Sequence, residues 1–546
     1  MTLEELKTAV SLLCNTPVDS TTIMRDQIAS CGPILQSSEE QDTCSLVHQS
    51  ARDYLLREEA DSDPILEEFR IEAKEAHTSL VRICLACIEN SDLCHRPLDI
   101  TDASVLKKSP LLGYAVKHWP EHAKHADEDF DFSRTFFQKK DDARVHWWRA
   151  YGNGSEWHRH EIGTRPLYIA SYLGINSLVR EILQANAWRT GLEFRKYVNQ
   201  RNEYGMTPLI LAAGEGHHSV VQLLLANGAD VDFLSEPAYW VSTALEAAAE
   251  RGHTSVVQLL LAAGANPELP GNDMALHRAA EIGHAAIVQL LLDKGIDVNA
   301  TTCTSRILAI WKTPLILAAG NGHEAIVRLL LNNGVDVNMK DEFGNTALQF
   351  AARNGHEAIV QLLLETGADV NTRATALSKA VDKGHEAIVR LLLANDVDAK
   401  LEDKALRRAA WGGNEAMVRF LLANSAHADI KGTCSMALIR AAERGHEHIL
   451  RILLEKGADI NARHTHHGIW YTALEMAARQ GRTTTVQFLL ANGARNISTK
   501  DAEKPSRTAL EWAVRGEHED IVQLLYRQRQ SLRFSQGIEV GYVGRV

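Results

Sequence analysis

The sequence lacks the features of a membrane-spanning or secreted protein. No run of 18 apolar residues occurs in its 546 residues, so no segment predicts a transmembrane helix. The N-terminal stretch MTLEELKTAV carries acidic side chains early and lacks the basic region of a signal peptide. The eight cysteines are scattered without the spacing of a disulfide framework. These absences predict a cytoplasmic protein, with the nucleus as the alternative compartment.

Motifs of catalysis and of nucleotide binding are also absent from the sequence. It contains no G-x-x-x-x-G-K-[ST] phosphate loop and no G-x-S-x-G nucleophile elbow. Its recurring His-Glu pairs lack the second histidine that a zinc protease needs. The net charge of −12 argues against nucleic acid as the main partner. We therefore expect no enzymatic activity, no cofactor, no metal and no membrane partner.

The sequence does contain one motif repeated over more than two-thirds of its length, and the clearest copy is TALQFAARNGHEAIVQLLLETGADVN, which starts at Thr346. Thr346 suits a helix N-cap, because its hydroxyl can accept a hydrogen bond from a free N–H in the first turn. The apolar spacing predicts two short helices separated by a turn at Gly355. Gly367 fits the left-handed residue that ends the second helix, and Asp369 begins an extended segment toward the next copy.

This pattern of paired helices with Gly-His turns resembles the ankyrin repeat, whose usual period is about 33 residues. The resemblance implies an all-α solenoid in which β-hairpin fingers connect the repeats and stacked neighbours bury each other's apolar faces. We expect about eleven repeats over residues 161–530 and a loosely ordered tail over 531–546. The anchor position of Thr346 recurs at Arg165, Thr207, Thr243, Met274, Thr313, Thr346, Thr375, Lys404, Met436, Thr472 and Thr508.

Residues 1–160 contain no such repeat and form a separate, mostly helical block. Apolar spacing predicts amphipathic helices over Leu3–Leu13 and Ile71–Ile88. Between them, the sequence predicts a small winged-helix-like hairpin and then a helix. The predicted strands are Pro33–Gln36 and Cys44–His48, and the predicted helix is Gln49–Arg57.

Three stretches of this block resemble one known region. MTLEELKTAV, CSLVHQSARDYLL and LLGYAVKHWPEHAK are similar to the winged-helix and linker region that follows the NTPase module in fungal NACHT-ankyrin proteins, which are signalling NTPases of the STAND type. Because the phosphate loop is missing, the resemblance implies the sensor and regulatory half of such a protein without its ATPase.

Two groups of metal-ligating residue types in the block have simpler interpretations. The pattern C-x-x-C-x-x-x-x-x-x-C-H that starts at Cys84 could ligate zinc, but free cysteines on a helix face more often pack as small apolar residues. His118, His122 and His125 follow one another at helical spacing. Pro120 should disturb that helix, and a solvated face is the favoured interpretation.

The connecting fingers are the first candidate for partner binding. Trp311 and Trp470 align with Gly205 and Gly344 of sister repeats, a tight tip where a tryptophan is hard to explain by backbone geometry. Exposed aromatic residues are enriched at binding hot spots. The alternative is that each tryptophan packs back on the neighbouring finger. The candidate finger residues are Tyr239, Trp240, Ile310, Trp311, Ile469, Trp470 and Tyr471.

The inner-helix face of the array is the second candidate. In the first half its variable positions include Glu215, Glu246, Glu250 and Glu281. Further on they include the basic residues Lys379, Lys383, Arg407, Arg408, Arg440, Arg444, Arg479 and Arg515. The acidic residues Asp382, Glu443, Glu475 and Glu511 dilute this basic half. Such a strip suits an acidic or phosphorylated peptide, and a mixed solvated face is the alternative.

The repeat that starts at Thr375 is only 29 residues long and the one that starts at Lys404 has 32, too few for a normal finger. Asp396 and Ser425 replace the glycine that ends the second helix. We predict breaks in the fingers around 394–404 and 423–436. Overall, the sequence predicts a non-enzymatic scaffold that binds other proteins through fingers and inner face; the alternative is the sensor half of a NACHT-type NTPase.

Overall fold

The chain forms helices almost throughout, with three two-stranded hairpins in its described part. The computed structural model describes residues 35–38, 43–46 and 73–535, the last range with gaps at 110, 127–129, 134, 136, 138–140, 153–164, 203–204, 235–242, 270–273, 304–310, 395–398, 425–429, 467–468 and 496–507. Internal contacts divide the chain into two bodies, residues 1–279 with 286–297 and residues 280–285 with 298–546.

The first body begins with a hairpin and a helical block. Its early elements are β1 (Leu35–Ser38), β2 (Thr43–Leu46), α1 (Ala73–Glu89), a 3₁₀ turn (Asp92–Cys94), α2 (Ala103–Lys108), α3 (Leu112–His125) and α4 (Asp141–Gly152). Repeat helices follow as α5 (Pro166–Leu173), α6 (Asn176–Ala185), α7 (Leu192–Val198), α8 (Pro208–Gly214), α9 (His218–Ala226), α10 (Ala244–Glu250) and α11 (Thr254–Ala262). The chain passes between the bodies within α12 (Met274–Ile282) and α13 (Ala285–Asp293).

The second body contains the remaining repeats. Its first elements are β3 (Thr302–Cys303), β4 (Trp311–Lys312), α14 (Pro314–Asn321), α15 (Glu324–Asn332), α16 (Ala347–Asn354) and α17 (Glu357–Glu365). The middle consists of α18 (Val370–Lys383), α19 (Glu386–Ala394), α20 (Ala399–Gly412), α21 (Glu415–Asn424), α22 (Ile430–Arg444) and α23 (Glu447–Glu455). The end consists of β5 (His464–His466), β6 (Ile469–Tyr471), α24 (Ala473–Arg479), α25 (Thr483–Ala491), α26 (Ala509–Arg515) and α27 (Glu519–Ser535).

The N-terminal block matches its sequence-based expectations in part. Strands β1 and β2 pair antiparallel with Leu35 opposite Leu46, so the predicted hairpin is present with its strands shifted by about two residues. Helix α1 confirms the helix predicted from Ile71. The helices predicted over Leu3–Leu13 and Gln49–Arg57 lie outside the described residues. The resemblance to the NACHT-associated region stays a prediction.

The core of this block is aromatic. Trp119 and Trp147 are fully buried with ring centroids 5.2 Å apart, and the Trp147 indole donates a hydrogen bond to the Val116 carbonyl. Trp148 meets the edge of Tyr172 in α5, so the block packs directly on the first repeat. Helix α3 runs through Pro120 without a break, so the expectation that this proline disturbs the helix is wrong.

The regular repeats begin with the predicted threonine cap. The hydroxyls of Thr207 and Thr313 accept hydrogen bonds from the N–H groups three residues on, at 3.3 and 3.2 Å. Thr346 is also an N-cap by its extended backbone, but its buried hydroxyl has no partner among the described residues, so the predicted bond is wrong in this copy. Gly367 has φ +93°, as its position predicts.

A histidine from each regular repeat contacts the turn of the repeat before it. In the second body, Nε2 of His356 donates to the carbonyl oxygen of Gly320 at 3.1 Å, while its ring lies against Gly322. A Cβ on Gly322, which has φ +84°, would lie 2.6 Å from that ring. The glycine is therefore needed both for its conformation and for the space that it leaves. The same ring-on-glycine contact is made by His217, His253, His323, His385, His446 and His518.

Three consecutive repeats replace the finger by helix. Helices α18, α20 and α22 have 14, 14 and 15 residues, against seven or eight for α14, α16, α24 and α26. The breaks predicted around 394–404 and 423–436 are confirmed over their described residues, because α20 already begins at Ala399 and α22 at Ile430. The expected extended segment after Asp369 is wrong, because helix α18 already begins at Val370. These segments carry no proline and are too short for a finger, so the chain continues the helix instead.

Candidate functional site

The two finger tryptophans lie in strands rather than in tight tips. Trp311 in β4 pairs with Cys303, and Trp470 in β6 pairs with Thr465. Their alignment with Gly205 and Gly344, which have φ near +78° and +76°, is therefore wrong as a statement about backbone conformation. The fingers here are longer, so a short hairpin forms before the next anchor. The candidates Tyr239, Trp240 and Ile310 lie outside the described residues.

Tyr471 supports the array from inside. Its side chain is 1% exposed, its ring centroid is 5.6 Å from that of Trp512, and its hydroxyl accepts a hydrogen bond from Arg479 at 2.7 Å. Tyr471 is therefore too buried to contact a partner, so its prediction as a binding residue is wrong. The candidates that remain on this finger are Ile469 and Trp470.

The predicted basic residues lie on five neighbouring first helices of the second body. Helices α18, α20, α22, α24 and α26 pack in sequence, each against the next. Side chains bridge from one helix to the following one, so these positions form one surface, which we call the basic inner face. It consists of Phe350, Lys379, Lys383, Arg408, Trp411, Arg440, Arg444, Arg479, Trp512 and Arg515.

A stacked arginine–tryptophan–arginine group forms the centre of this face. The guanidinium carbons of Arg408 and Arg444 lie 5.1 and 4.3 Å from the Trp411 ring centroid, within the range of cation–π attraction. Arg408 also donates two hydrogen bonds to Asp382, at 2.6 and 2.7 Å, and this carboxylate raises the pKa of Arg408. Arg444 is exposed and has no carboxylate partner among the described residues.

Aromatic rings and hydrogen bonds also hold the neighbouring basic side chains in place. Lys379 donates to the Asn345 side-chain oxygen at 2.6 Å and lies 5.6 Å from the Phe350 centroid. Its pKa is lowered by burial first and then by the charge of Arg353. Arg479 lies 5.1 Å from the Trp512 centroid. Arg407 is half-buried, and its Nε donates to the backbone carbonyl of Asp403 within the same helix while Nη1 lies 4.0 Å from Met436 Sδ of the next one.

The acidic residues dilute the basic inner face less than the sequence suggests. Glu443 is neutralised by Arg440 at 2.9 Å. Glu475 is 4% exposed and accepts from the Thr472 N–H in a capping box, and Glu511 caps Thr508 in the same way. Burial raises the pKa of Glu475 despite that hydrogen bond. Counting Glu475 as surface charge is therefore wrong, whereas Glu511 is exposed and keeps its charge at the surface. The position of both, three residues after a threonine, marks them as capping residues.

The acidic stretch predicted for the first half is also less uniform than expected. Glu215 forms an ion pair with Arg251 of the next repeat. Glu246 is 5% exposed and lies at the capping position after Thr243, below the surface. Glu215, Glu246 and Glu250 of the first body therefore do not form one acidic strip, and Glu281 belongs to the second body.

Asparagine side chains at the base of the fingers connect consecutive repeats, and sequence reasoning missed them. The side-chain oxygen of Asn338 accepts from the Asp369 N–H at 2.7 Å, and its amide donates to the Gly367 carbonyl. Asn461 makes the same two bonds to Arg495 and Gly493. The recurring D-V-N and D-I-N tripeptides were the available signal.

The described residues contain neither a membrane-spanning helix nor a metal-binding cluster. No helix among them has the length and apolar content needed to cross a membrane. No group of three or more His, Cys, Asp or Glu side chains is arranged there to hold a metal ion. Cys84 and Cys87 are buried and free, and burial raises the pKa of each thiol to about 12.

Family models for ankyrin repeats match most of the chain. One model matches residues 139–235, 232–302, 304–374, 372–433 and 438–534, and another matches 276–331. The chain therefore belongs to the ankyrin-repeat family, and its fold is all-α. The array is a protein-interaction module.

Curated relatives share only parts of this chain. It is 31% identical over 227 residues to the azaphilone pigments biosynthesis cluster protein L of Monascus ruber, a match that covers 38% of this chain and 46% of the relative. It is 49% identical over 47 residues to the human ankyrin repeat and SOCS box protein 12, which covers 8% and 15%. The chain thus spans less than half the length of these relatives.

Solved ankyrin domains are similar to about two-fifths of the chain. The ankyrin repeat domain of human ASB11 is 25% identical, covers 42% of this chain and 97% of that domain, and gives a TM-score of 0.36. The ankyrin repeat domain of Bcl-3, a member of the IkappaB family, is 30% identical, covers 39% and 90%, and gives a TM-score of 0.32.

Proposed function

We propose that this protein binds an acidic or phosphorylated segment of another protein along the basic inner face. The observation that carries the proposal is the stack of Arg408, Trp411 and Arg444. Stacking on Trp411 restricts the Arg444 guanidinium while leaving its N–H edge able to pair with a carboxylate or phosphate. A side chain that is already ordered loses less entropy when it binds.

The charges that flank this stack favour the same class of partner. Lys383 on α18 and Arg444 on α22 are both exposed, and their helices flank α20. Neither side chain has a carboxylate partner among the described residues. Asp382 and Glu443 interrupt the face, and each is neutralised by one arginine. An extended acidic peptide can place its negative charges next to the separate basic side chains of this face. A nucleic-acid backbone, which is charged at every phosphate, favours a continuous basic surface.

The fingers supply a second contact in this proposal. Trp311 and Trp470 belong to hairpins that precede α14 and α24, and finger residues of this kind extend an interface beyond the inner helices. The partner is proposed to cross the inner face and to touch one or both hairpins.

A binding measurement with two matched variants tests the proposal. The probes are a fluorescein-labelled Glu/Ser-rich peptide and the same peptide with phosphoserine, measured by anisotropy with the full chain. We expect Arg444→Gln and Lys383→Gln each to weaken binding about tenfold, the loss of one charged hydrogen bond. The control Arg419→Gln removes an exposed arginine on α21 that pairs with Glu415, and should leave binding unchanged.

Two results would overturn the proposal. One is equal weakening by all three variants, which would indicate a general charge effect. The other is tighter binding of a single-stranded oligonucleotide of equal charge than of either peptide.

A further inference from the structure

Two histidines form a direct contact between helices α1 and α3 in the N-terminal block. Nδ1 of His77 on α1 lies 2.9 Å from Nδ1 of His122 on α3. The other ring nitrogen of His122, Nε2, is 2.8 Å from the Tyr114 hydroxyl. Both rings are half-buried, so the expectation of a fully solvated histidine face on α3 is wrong for His122.

This contact requires one of the two Nδ1 atoms to be unprotonated. A hydrogen bond between two nitrogens needs one N–H and one lone pair. If both Nδ1 atoms carry protons, the donors face each other and the two imidazolium charges repel. Burial is the largest cause that lowers the pKa of both His77 and His122, and the neighbouring histidines lower it further.

The surrounding groups offer little compensation for added positive charge. From α3, the His125 ring centroid lies 5.2 Å from that of His77, and the His118 centroid lies 4.6 Å from that of Tyr114, so positive charge on either ring opposes positive charge on His122. Glu121 is the nearby carboxylate, and Lys124 and His125 already pair with it.

Charged and titratable side chains on the other elements packed against α1 and α3 bind partners away from the two histidines. Asp92 of the 3₁₀ turn pairs with Arg96. On α4, His146 bonds the Leu93 carbonyl and Arg144 bonds the Phe137 carbonyl.

We propose that the contact between His77 and His122 is an acid-sensitive latch, which holds α1 against α3 at neutral pH and opens when both rings take up protons. Helix α3 also carries Trp119, which packs on Trp147 of α4, and the adjacent Trp148 touches the first repeat at Tyr172. Opening the latch therefore loosens the block at a position connected through packed rings to the start of the array.

The sign of the effect follows from proton binding. A histidine whose pKa is lower in the folded than in the unfolded state binds fewer protons when folded. The latch therefore contributes its full stability above the usual histidine pKa of 6.5, and this contribution falls as the pH drops below 6.5 toward the lowered folded values.

Hydrogen–deuterium exchange of the full chain tests the latch. Protection is compared at pH 7.5 and pH 5.5, corrected for intrinsic exchange, in the presence of EDTA. We expect peptides over 73–89 and 112–125 to lose about tenfold in protection at the lower pH, whereas peptides over 244–262 change little. Equal loss in both regions, or no loss in α1 and α3, would overturn the proposal without any variant.

A variant pair then assigns the effect to the two rings. His122→Gln removes the titrating ring and should make the protection of α1 and α3 nearly independent of pH. His95→Gln removes an exposed histidine of the same block and should keep the wild-type pH dependence. Tyr114→Phe retains both rings and should also keep the acid-induced loss. A His122→Gln profile that matches the wild type would contradict the proposal.

Discussion

Several single residues of this protein have two structural roles, and the turn glycines show this most clearly. Gly322 adopts a positive φ and also leaves space for the His356 ring of the following repeat. Where the following repeat lacks that histidine, as next to Gly384, the Asn414 side chain takes its place, and a Cβ on Gly384 would lie 3.2 Å from Asn414 Nδ2. The Gly-His pair is therefore a contact between repeats as well as a local turn.

A pair of glycine substitutions separates these two roles. Gly322→Ala and Gly334→Ala both place a side chain at similar positive φ, +84° and +77°, but only at Gly322 would the new Cβ meet a neighbouring ring. We expect Gly334→Ala to cost about 1 kcal/mol of unfolding free energy from strain. Gly322→Ala should cost about 2–4 kcal/mol, because the His356 ring must also move. Urea unfolding checks this, and equal costs would mean that the ring adapts freely.

The buried capping glutamate gives a pH-dependent prediction. Because burial raises the pKa of Glu475, the folded state binds more protons than the unfolded state above the usual value of 4.5, and stability declines as the pH rises through that window. Glu475→Gln keeps an oxygen that accepts from Thr472 but removes the ionisation. We expect the variant to gain stability over the wild type at pH 7 and to lose that advantage toward pH 4.5.

Thermal unfolding at the two pH values measures this difference. Glu475→Ala serves as the control, since it loses the cap and should be destabilised by about 1 kcal/mol at both. A Gln variant that is less stable than wild type at pH 7 would contradict the prediction.

At the scale of elements, the length of a repeat decides whether its finger exists. Helices α18, α20 and α22 extend toward their N-termini and take up the residues that elsewhere form a finger. As a result, the anchor Thr375 lies exposed inside α18, whereas Thr313 caps α14 through its hydroxyl. The same sequence position therefore has different structural roles in neighbouring repeats.

Two threonine substitutions test this difference. Thr313→Ala should cost about 1 kcal/mol of unfolding free energy, because the Ile316 N–H loses its partner. Thr375→Ala should be neutral or stabilise by about 0.5 kcal/mol, because alanine is the better residue inside a helix. Chemical denaturation distinguishes the two, and a large loss for Thr375→Ala would mean that a separate short helix still begins there.

The finger hairpins carry a prediction about binding. If Trp311 and Trp470 contact the partner, then replacing both with Ser should abolish binding of the phosphorylated Glu/Ser-rich peptide while leaving Tm nearly unchanged. A large fall in Tm would instead favour packing of the tryptophans on their own fingers. Trp311→Phe and Trp470→Phe provide the control, since an aromatic side chain remains.

At the scale of the whole molecule, a chain with a net charge of −12 presents one basic surface in its second body. The local excess of positive charge on this face should attract an acidic partner, and the affinity should depend on ionic strength. We expect the affinity for the phosphorylated peptide to fall about tenfold or more between 50 and 300 mM salt. Arg444→Gln should reduce that salt dependence, and a salt-independent affinity would point to the apolar finger contacts instead.

The sequence was most informative where the signal is local. Threonine caps, glycine ends and apolar spacing repeat within about 33 residues, so the helix pairs and their order follow from it. Even the loss of fingers near 399 and 430 could be predicted, because counting residues is enough to show that the repeats are too short. The extension at Val370 was missed although Thr346 and Thr375 are also only 29 residues apart, because the standard D-V-N tripeptide predicts the start of an extended finger.

The sequence by itself therefore determined the family and the arrangement of helix pairs, because these depend on contacts within one repeat or between adjacent repeats. Only the tertiary structure decided which charges reach the surface. It buried Glu475 against the N–H of Thr472. It also placed the Arg444 guanidinium over the ring of Trp411, which lies 33 residues before Arg444 in the chain. It likewise brought His77 to His122 across 45 residues. Such contacts depend on how packed helices are oriented, and a residue's own neighbours in the chain do not fix that orientation.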